Sequence, residues 1–281
     1  MTLVLLLNIF WQISVLALVT IGLAIVFGQL GIMNMAHGEF VMIGAYAPVI
    51  TAQWGLDWWW QLPVCLLSTA IIALIIERTI VRHLYGRLFD SLLATWGISL
   101  LLRELVEIIF GRGYQFVATP VAGATLVMGN EYPTYRLLVI VFTLISFTGL
   151  FVWYRRSRLG TRIRAMVENP VLARSAGINT GRLSATSFVF GCMTAGLAGM
   201  LVAPTIRVEP MMGVDFLIKS FFALVVGGLG TLQGLVTGST IIAGSQSIVS
   251  SVLDQTYGYI FVLVLSILFL WIRPNGVYRS N

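Results

Sequence analysis

The chain has 281 residues, of which 58% are hydrophobic and only 10% are charged, and its mean hydropathy is +0.93. A soluble domain carries about 25% charged residues, so this composition excludes an ordinary water-soluble fold and predicts a protein whose apolar surface faces lipid. The net charge of +6 comes almost wholly from arginines between apolar segments. That pattern is typical of membrane orientation and argues against a nucleic-acid partner.

Nine apolar segments approach the length of about 20 residues that a helix needs to cross a bilayer. The first has no basic stretch before it and is too long for a signal peptide, so we interpret it as a retained helix. The seventh is short and runs into glycines. We predict an all-α polytopic membrane protein, a bundle of 8–9 transmembrane helices with glycine-interrupted spans, forming one domain, residues 1–281. The segments are Leu3–Phe27, Gly38–Trp54, Trp59–Glu77, Leu88–Phe110, Tyr135–Tyr154, Ser184–Ala203, Phe216–Val226, Val236–Val252 and Tyr257–Ile272.

The arginines in the connecting loops are distributed asymmetrically. By the positive-inside rule, the loop Arg155–Leu183 and the C-terminus are predicted to be cytoplasmic and the N-terminus to lie outside. Tryptophans cluster at a predicted outer boundary, Trp54 and Trp58–Trp60, where indole rings anchor a helix. One set of loops holds Arg78, Arg82, Arg87, Arg155, Arg156, Arg158, Arg162, Arg164, Arg174, Arg182, Arg273 and Arg279, and the opposite set holds Arg112, Arg136 and Arg207.

A glycine pattern occurs twice, at the end of the first segment and at the end of the seventh. Paired glycine-interrupted spans in the two halves of a chain point to the binding or gating region of a transporter, although close packing of helices explains them equally well. The first copy contains Gly28, Gly31, Gly38 and Gly44, and the second contains Gly227, Gly228, Gly230, Gly238 and Gly244. The candidate helix breaks are Gly28, Gly31, Gly227, Gly228 and Gly230.

Enzyme motifs are missing from the sequence: it has no GxxxxGK[ST], GxSxG, HExxH or GxGxxG pattern. The two histidines are far apart, and Cys65 and Cys192 lie inside apolar segments, so we predict neither a metal site nor a cofactor in this chain. The carboxylates fall near the predicted ends of the spans, which argues against an ion pump or a proton-coupled transporter.

Three features carry alternatives that the sequence leaves open. Arg103 and Glu107 are spaced to form an ion pair on one helix face, or they meet a substrate or a docking protein at the outer mouth. The eighth segment has a stripe of small and hydroxyl residues that either join helices or line a path for a small polar solute. The stripe consists of Thr240, Gly244, Ser247 and Ser251.

The third feature is the cytoplasmic loop, residues 155–183. Its sequence predicts two short helices broken at Pro170. A compact helical piece outside the membrane is typical of a docking element, and the alternative is a loop that only sets orientation.

Four blocks of sequence resemble the permease subunits of branched-chain amino acid and urea ABC importers. The first, Gly31-Ile-Met-Asn-Met-Ala-His-Gly-Glu39, is preceded by Gly28 and followed by Gly44-Ala-Tyr46. The second runs through the cytoplasmic loop from Arg158-Leu-Gly to Ala176-Gly-Ile-Asn179. The third and fourth are Val226-Gly-Gly-Leu-Gly-Thr231 and Arg273-Pro-Asn-Gly-Val277. Together they extend over nearly the whole chain.

This resemblance implies a multi-pass permease of the bacterial inner membrane that pairs with a sister permease subunit as a heterodimer. Two cytoplasmic ATPase subunits would bind ATP and magnesium, and a periplasmic binding protein would deliver the solute. The segment that would couple to the ATPases contains Arg164, Glu168 and Gly177, although it departs from the EAA pattern of other importers. Candidate residues of the solute path are Asn34, His37, Glu39, Thr240, Ser247 and Ser251.

The substrate is predicted from one segment. Leu92-Leu-Ala-Thr-Trp-Gly-Ile-Ser-Leu100 resembles urea-type permeases, so we expect urea or a short-chain amide. The alternative is a branched-chain or other neutral amino acid. A channel that works without an ATPase is a further alternative, against which the length of the cytoplasmic loop argues.

Overall fold

A computed structural model describes residues 2–228, 232–273 and 276–278. Each of the nine predicted apolar segments forms a helix, and two short helices lie in the predicted cytoplasmic loop. The helices are α1 Thr2–Leu30, α2 His37–Gln53, α3 Gln61–Thr79, α4 Leu88–Phe110, α5 Thr134–Arg156, α6 Arg158–Glu168, α7 Pro170–Ser175, α8 Thr180–Val202, α9 Met212–Gly227, α10 Leu232–Val252 and α11 Gln255–Ile272. A hairpin of β1 Ala124–Val127 and β2 Asn130–Pro133 and the 3₁₀ turns Trp58–Trp60, Val81–His83 and Ala203–Thr205 complete the described elements.

Six of these helices have the length and apolarity to cross a membrane: α1, α3, α5, α8, α10 and α11. The other three long helices are either too short or too charged to meet these criteria. α2 and α9 have 17 and 16 residues, and α4 contains Asp90, Arg103, Glu104 and Glu107. The chain is therefore a multi-pass helical membrane protein, as predicted.

Glycines set the close packing of the central helices, α1, α2 and α8. A Cβ atom at Gly44 of α2 would overlap the carbonyl oxygen of Gly196 on α8, and one at Gly199 would overlap that of Val41. Nearly all of α2 is buried. The close-packing interpretation therefore holds for Gly44, because α2 crosses α8 at a distance that only glycine permits.

Helices end at some of the glycines that were predicted as helix breaks, and the prediction is wrong at Gly28. α1 continues through Gly28 to Leu30, since one glycine inside a long, packed helix costs only about 1 kcal/mol. The break falls at Gly31, whose φ of +62° is left-handed. In the second copy, Gly227 ends α9 and Gly228 has a φ of +110°. Gly230 lies outside the described residues.

Contacts between loops show which loops share an end of the bundle. At one end, the Tyr132 hydroxyl donates to Asn8 Oδ1 (3.1 Å), and Gln115 pairs through its backbone with Val208. At the other end, the Arg164 guanidinium donates to the Tyr154 carbonyl (2.6 Å). The long outer loop thus lies against the bundle, as predicted, and it contains a hairpin that the sequence did not predict. The assignment of the arginine-rich end to the cytoplasm stays a prediction.

The loop after α5 forms α6 and α7 with the break at Pro170, as predicted. The Asn169 side chain caps α7 by accepting hydrogen bonds from the backbone N–H groups of Val171 (3.1 Å) and Leu172 (2.9 Å). A Cβ atom at Gly160 would overlap the Tyr154 carbonyl oxygen. Glycine at this position therefore lets α6 fold back tightly against the end of α5.

Candidate functional site

The segment between α1 and α2, residues 31–36, is non-helical backbone held inside the protein. Thr95 of α4 fixes it, because the Thr95 hydroxyl accepts a hydrogen bond from the Met35 N–H (2.9 Å) and lies 3.1 Å from the Met33 carbonyl. Asn34 is buried, and its Oδ1 accepts from the Ala36 N–H (3.1 Å). Irregular backbone survives at membrane depth when protein or a water-filled cavity surrounds it.

A small recess opens beside this segment, between α1 and α9. Asn34 is the polar residue among its walls, and the others are apolar. The recess has room for about one water molecule, and Asn34 is only 2% exposed, so the recess shows only that Asn34 borders a gap between α1 and α9. The lining residues are Leu23, Phe27, Met33, Asn34, Met35, Leu217, Phe221 and Leu224.

His37 begins α2 and is completely buried against α1. Its Nε2 lies 2.9 Å from the Val19 carbonyl oxygen; since a carbonyl can only accept, Nε2 carries the hydrogen. Among the described residues Nδ1 has no partner. A Cβ atom at Gly22 would lie 2.8 Å from His37 Cε1, so the missing side chain of Gly22 makes room for the ring. His37 therefore connects α2 to α1 through a buried hydrogen bond.

Glu39 forms an ion pair inside the bundle with Arg103 of α4. Arg103 Nη2 donates to Glu39 Oε1 at 2.8 Å, and the Ser99 hydroxyl donates to the same oxygen at 2.8 Å. The Arg103 side chain is 15% exposed and the Glu39 side chain is 2% exposed. Ser99 is the midpoint of α4, so Glu39 lies deep in the bundle. Glu39 is the third residue of α2, near the end of that helix as predicted, but α2 itself begins beside the middle of α4.

The pairing of Arg103 with Glu107, one of the two alternatives that the sequence left open, is wrong. Glu107 pairs instead with the exposed Arg112 in the outer loop, and this hydrogen bond raises the pKa of Arg112. Arg103 turns toward α2 because a charge in the middle of an apolar span is stabilised by a buried partner more than by an interfacial one. In the sequence, the position of Arg103 within an apolar run indicated that this charge needs a buried partner. No comparable pattern indicated that Ser99 and Thr95 form polar contacts with the α1–α2 region.

Two buried polar atoms of the ion pair have no hydrogen-bond partner among the described residues. They are Glu39 Oε2 and Arg103 Nε, and further along α2 the hydroxyl of Tyr46, whose ring packs on Phe110, has no partner in the described part of the chain either. The glycine at position 213 of α9 leaves the space beside Glu39, since a Cβ atom there would lie 3.0 Å from Oε2. The interior between α2, α4 and α9 is therefore a polar centre whose hydrogen bonds are only partly satisfied.

The polar stripe on α10 is divided by its packing. Gly244 and Ser247 are buried, and a Cβ atom at Gly244 would lie 3.8 Å from Ile13 Cδ1 of α1. Thr240 and Ser251 are exposed, and their hydroxyls donate to carbonyls of their own helix at 2.7 Å. α10 packs on α1, α9 and α11, and the stripe is not joined to the cluster of Asn34, His37 and Glu39. The middle of the stripe is thus a helix contact and its ends face outward.

The three candidate coupling residues have different surroundings. The Arg164 guanidinium donates to the Tyr154 carbonyl and lies 5.3 Å from the Tyr154 ring centroid, so it fastens α6 to the end of α5. Glu168 ends α6 and is exposed. Gly177 is exposed with a φ of +80°. The same segment exposes large apolar side chains, with Val171 and Leu172 each 66% exposed.

At the same end of the bundle, Tyr85 precedes α4 and donates its hydroxyl to the buried Glu77 carboxylate at 2.8 Å. Burial raises the pKa of the Tyr85 phenol, and the hydrogen bond to Glu77 adds to this. The phenol therefore stays protonated and gives Glu77 a donor at the end of α3.

Known proteins resemble nearly the whole chain. Residues 5–270 match the family described as "branched-chain amino acid transport system / permease component". LivH of Escherichia coli K12, a high-affinity branched-chain amino acid transport system permease protein, is 30% identical over 94% of this chain and 91% of its own length. LivM of the same organism, with the same description, is 25% identical over 92% of this chain and 66% of its own length.

One solved structure shares the fold. PsaBC from Streptococcus pneumoniae in complex with Fab has a TM-score of 0.53 at 12% identity, and the match covers 98% of this chain and 94% of that one. The sequence matches and the membrane helices agree with the predicted multi-pass location in a bacterial inner membrane. They identify a transport subunit rather than an enzyme: the chain belongs to the family of branched-chain amino acid transport system permease components.

Proposed function

We propose that this chain is the membrane-spanning permease of a binding-protein-dependent ABC importer for branched-chain or other neutral amino acids. The observation that carries the proposal is the similarity over 94% of the chain to a relative described as a branched-chain amino acid permease. No comparison supports the expectation of urea. The segment Leu92–Leu100, on which that expectation rested, contributes Thr95 to fixing the backbone at Met33 and Met35, which is a structural role independent of the solute.

Uptake by the complete complex in proteoliposomes decides the substrate. With binding protein outside and ATP inside, we expect labelled leucine to accumulate and labelled urea to stay at background. Accumulation of urea without leucine would restore the urea interpretation. Equilibration of either solute without ATP would indicate a channel.

A sister permease is part of the proposal. In Escherichia coli K12, two different relatives of this chain, LivH and LivM, are both described as permease proteins of a high-affinity branched-chain amino acid transport system. A heterodimer of two such chains would explain why one organism has two related permease proteins. The two ATPase subunits, which would bind ATP and magnesium, and the periplasmic binding protein follow from the same family resemblance.

For the solute path, we propose Asn34, which borders this recess, as a contact residue and His37 and Glu39 as support for the wall behind it. On α10, the exposed Thr240 and Ser251 remain candidates for the path. Ser247 is buried, so a larger side chain there would disturb the packing of α10. A loss of transport in such a variant would therefore not show whether Ser247 lines the solute path or only packs between helices.

The α6–α7 segment is proposed as the docking surface for an ATPase. Its exposed apolar side chains support this, because Val171 and Leu172 extend from a helix that is rigidly capped by Asn169. Exposed apolar patches on a soluble face mark sites of protein interaction. Glu168 and Gly177 flank these residues, and Arg164 holds the segment on α5. Because Gly177 has a left-handed φ, its substitution would strain the turn rather than test a contact.

Replacement of Leu172 by glutamate tests the docking surface. We expect recovery of the ATPases with the purified permease to fall by at least about tenfold, since an acid in an apolar contact costs more than 1.4 kcal/mol. The matched control is Met128→Glu at the 89%-exposed tip of the hairpin at the opposite end, which should recover the ATPases fully. Equal recovery with both variants would mean that the segment only sets orientation.

A further inference from the structure

α9 exposes a stripe that combines two opposite charges with apolar side chains. Asp215 and Ile218 are exposed, and Lys219 and Phe222 are partly exposed. These positions are three or four residues apart and share one helix face. Lys219 is the single lysine of the chain. A face of this composition is unsuited to lipid tails.

The stripe lies at membrane depth because α9 begins inside the bundle. Its second residue, Gly213, packs on α2: a Cβ atom there would lie 2.6 Å from the Gly38 carbonyl oxygen. Glu39, next to Gly38, bonds to Ser99 at the midpoint of α4. Lys219 is midway along α9, so it extends from a helix that starts near the middle of the bundle and ends beside the C-terminal segment, where the Tyr278 N–H donates to the Gly227 carbonyl (3.1 Å).

Neither charge of the stripe has a charged partner in the part of the chain that the structure describes. Lys219 Nζ lies 3.1 Å from the Tyr259 hydroxyl and 4.2 Å from that ring's centroid, which stabilises the ammonium without neutralising it. A lysine can extend its head to the membrane surface, but the short side chain of Asp215 has no such reach. A surrounding of lipid therefore does not explain the pair.

We infer that this stripe is a wall of the solute path and that its two charges hold the two charges of an α-amino acid. The Lys219 ammonium donates hydrogen bonds to the solute carboxylate, and the Asp215 carboxylate accepts from the solute ammonium. Positions four residues apart are separated by about 5–6 Å at Cβ, a spacing that one zwitterion bridges. Phe222 contacts the aliphatic side chain. The inference rests on the proposed amino-acid import, since neutral urea requires no charge pair.

A cysteine reporter tests the inference in the complete complex in proteoliposomes. The native Cys65 and Cys192 are buried, so they give little background. Ile218→Cys places a thiol on the stripe, and Leu144→Cys places one on the exposed apolar face of α5, beside Val141 and Ile145, at a site that is 62% exposed and that we expect to face lipid. A charged, water-soluble methanethiosulfonate reagent should modify Cys at 218 and leave Cys at 144 unmodified. Saturating leucine, with binding protein and ATP, should slow modification at 218.

Combining Ile218→Cys with Lys219→Met or Asp215→Asn should abolish this protection, because loss of a charge-assisted hydrogen bond weakens binding by about tenfold or more. An unreactive thiol at 218, or protection that survives both substitutions, would overturn the inference. Leucine uptake by the wild-type complex is measured in the same vesicles. If the wild type imports no leucine, the proposed function fails; if it imports leucine and the reporter result is negative, only the charge-pair inference fails.

Discussion

Arg103→Met should lower the free energy of unfolding by about 3–5 kcal/mol, because it leaves the buried Glu39 carboxylate without its counter-charge. Glu39 is 2% exposed, and Ser99 alone would remain as a donor to its Oε1. Thermal unfolding of the detergent-solubilised permease measures the change. Glu104→Gln is the matched control, since Glu104 is the next residue on α4 and is exposed; it should be nearly silent.

Two more variants separate the observed ion pair from the one that the sequence predicted. Glu39→Gln combined with Arg103→Met should recover most of the lost stability, because no uncompensated charge is then buried. Glu107→Gln should leave thermal unfolding nearly unchanged, since its partner Arg112 is exposed to solvent. A Glu107→Gln variant as unstable as Arg103→Met would contradict the ion pair between α2 and α4.

Gly199→Ala is expected to destabilise the bundle by about 3 kcal/mol or more, which is the upper range for overpacking. The added methyl group would overlap the Val41 carbonyl oxygen. A backbone atom cannot change rotamer as a side chain can, so α2 and α8 would have to separate. The yield of folded permease after solubilisation, together with its thermal unfolding, reports the effect.

Gly97→Ala is the control for this substitution. Gly97 lies on the exposed face of α4 with no atom near the position of an added Cβ, and alanine should be neutral or stabilise the helix by at most about 1 kcal/mol. Equal stability of the Gly199→Ala and Gly97→Ala variants would show that α2 and α8 are not in backbone contact.

Local patterns predicted much of the fold. Apolar runs between polar loops located all nine long helices within a few residues, because the length of an apolar run is set by the bilayer and requires no knowledge of neighbours. Pro170 located the break between α6 and α7 for a similar reason, since proline cannot continue a preceding helix. The signature at residues 31–39 pointed to Asn34, His37 and Glu39, which the structure gathers around the start of α2.

The sequence by itself thus determined the membrane class, the helices, the loops that share an end of the bundle and the family. Only the tertiary structure decided which polar groups meet. Arg103 lies four residues from Glu107 but pairs with Glu39, 64 residues away in the chain, because burial strengthens an interaction that sequence spacing cannot reveal. The middle of the α10 stripe is covered by α1 for a related reason: helical periodicity specifies which residues share a face, whereas the packing of neighbouring helices decides whether that face contacts protein or is left open.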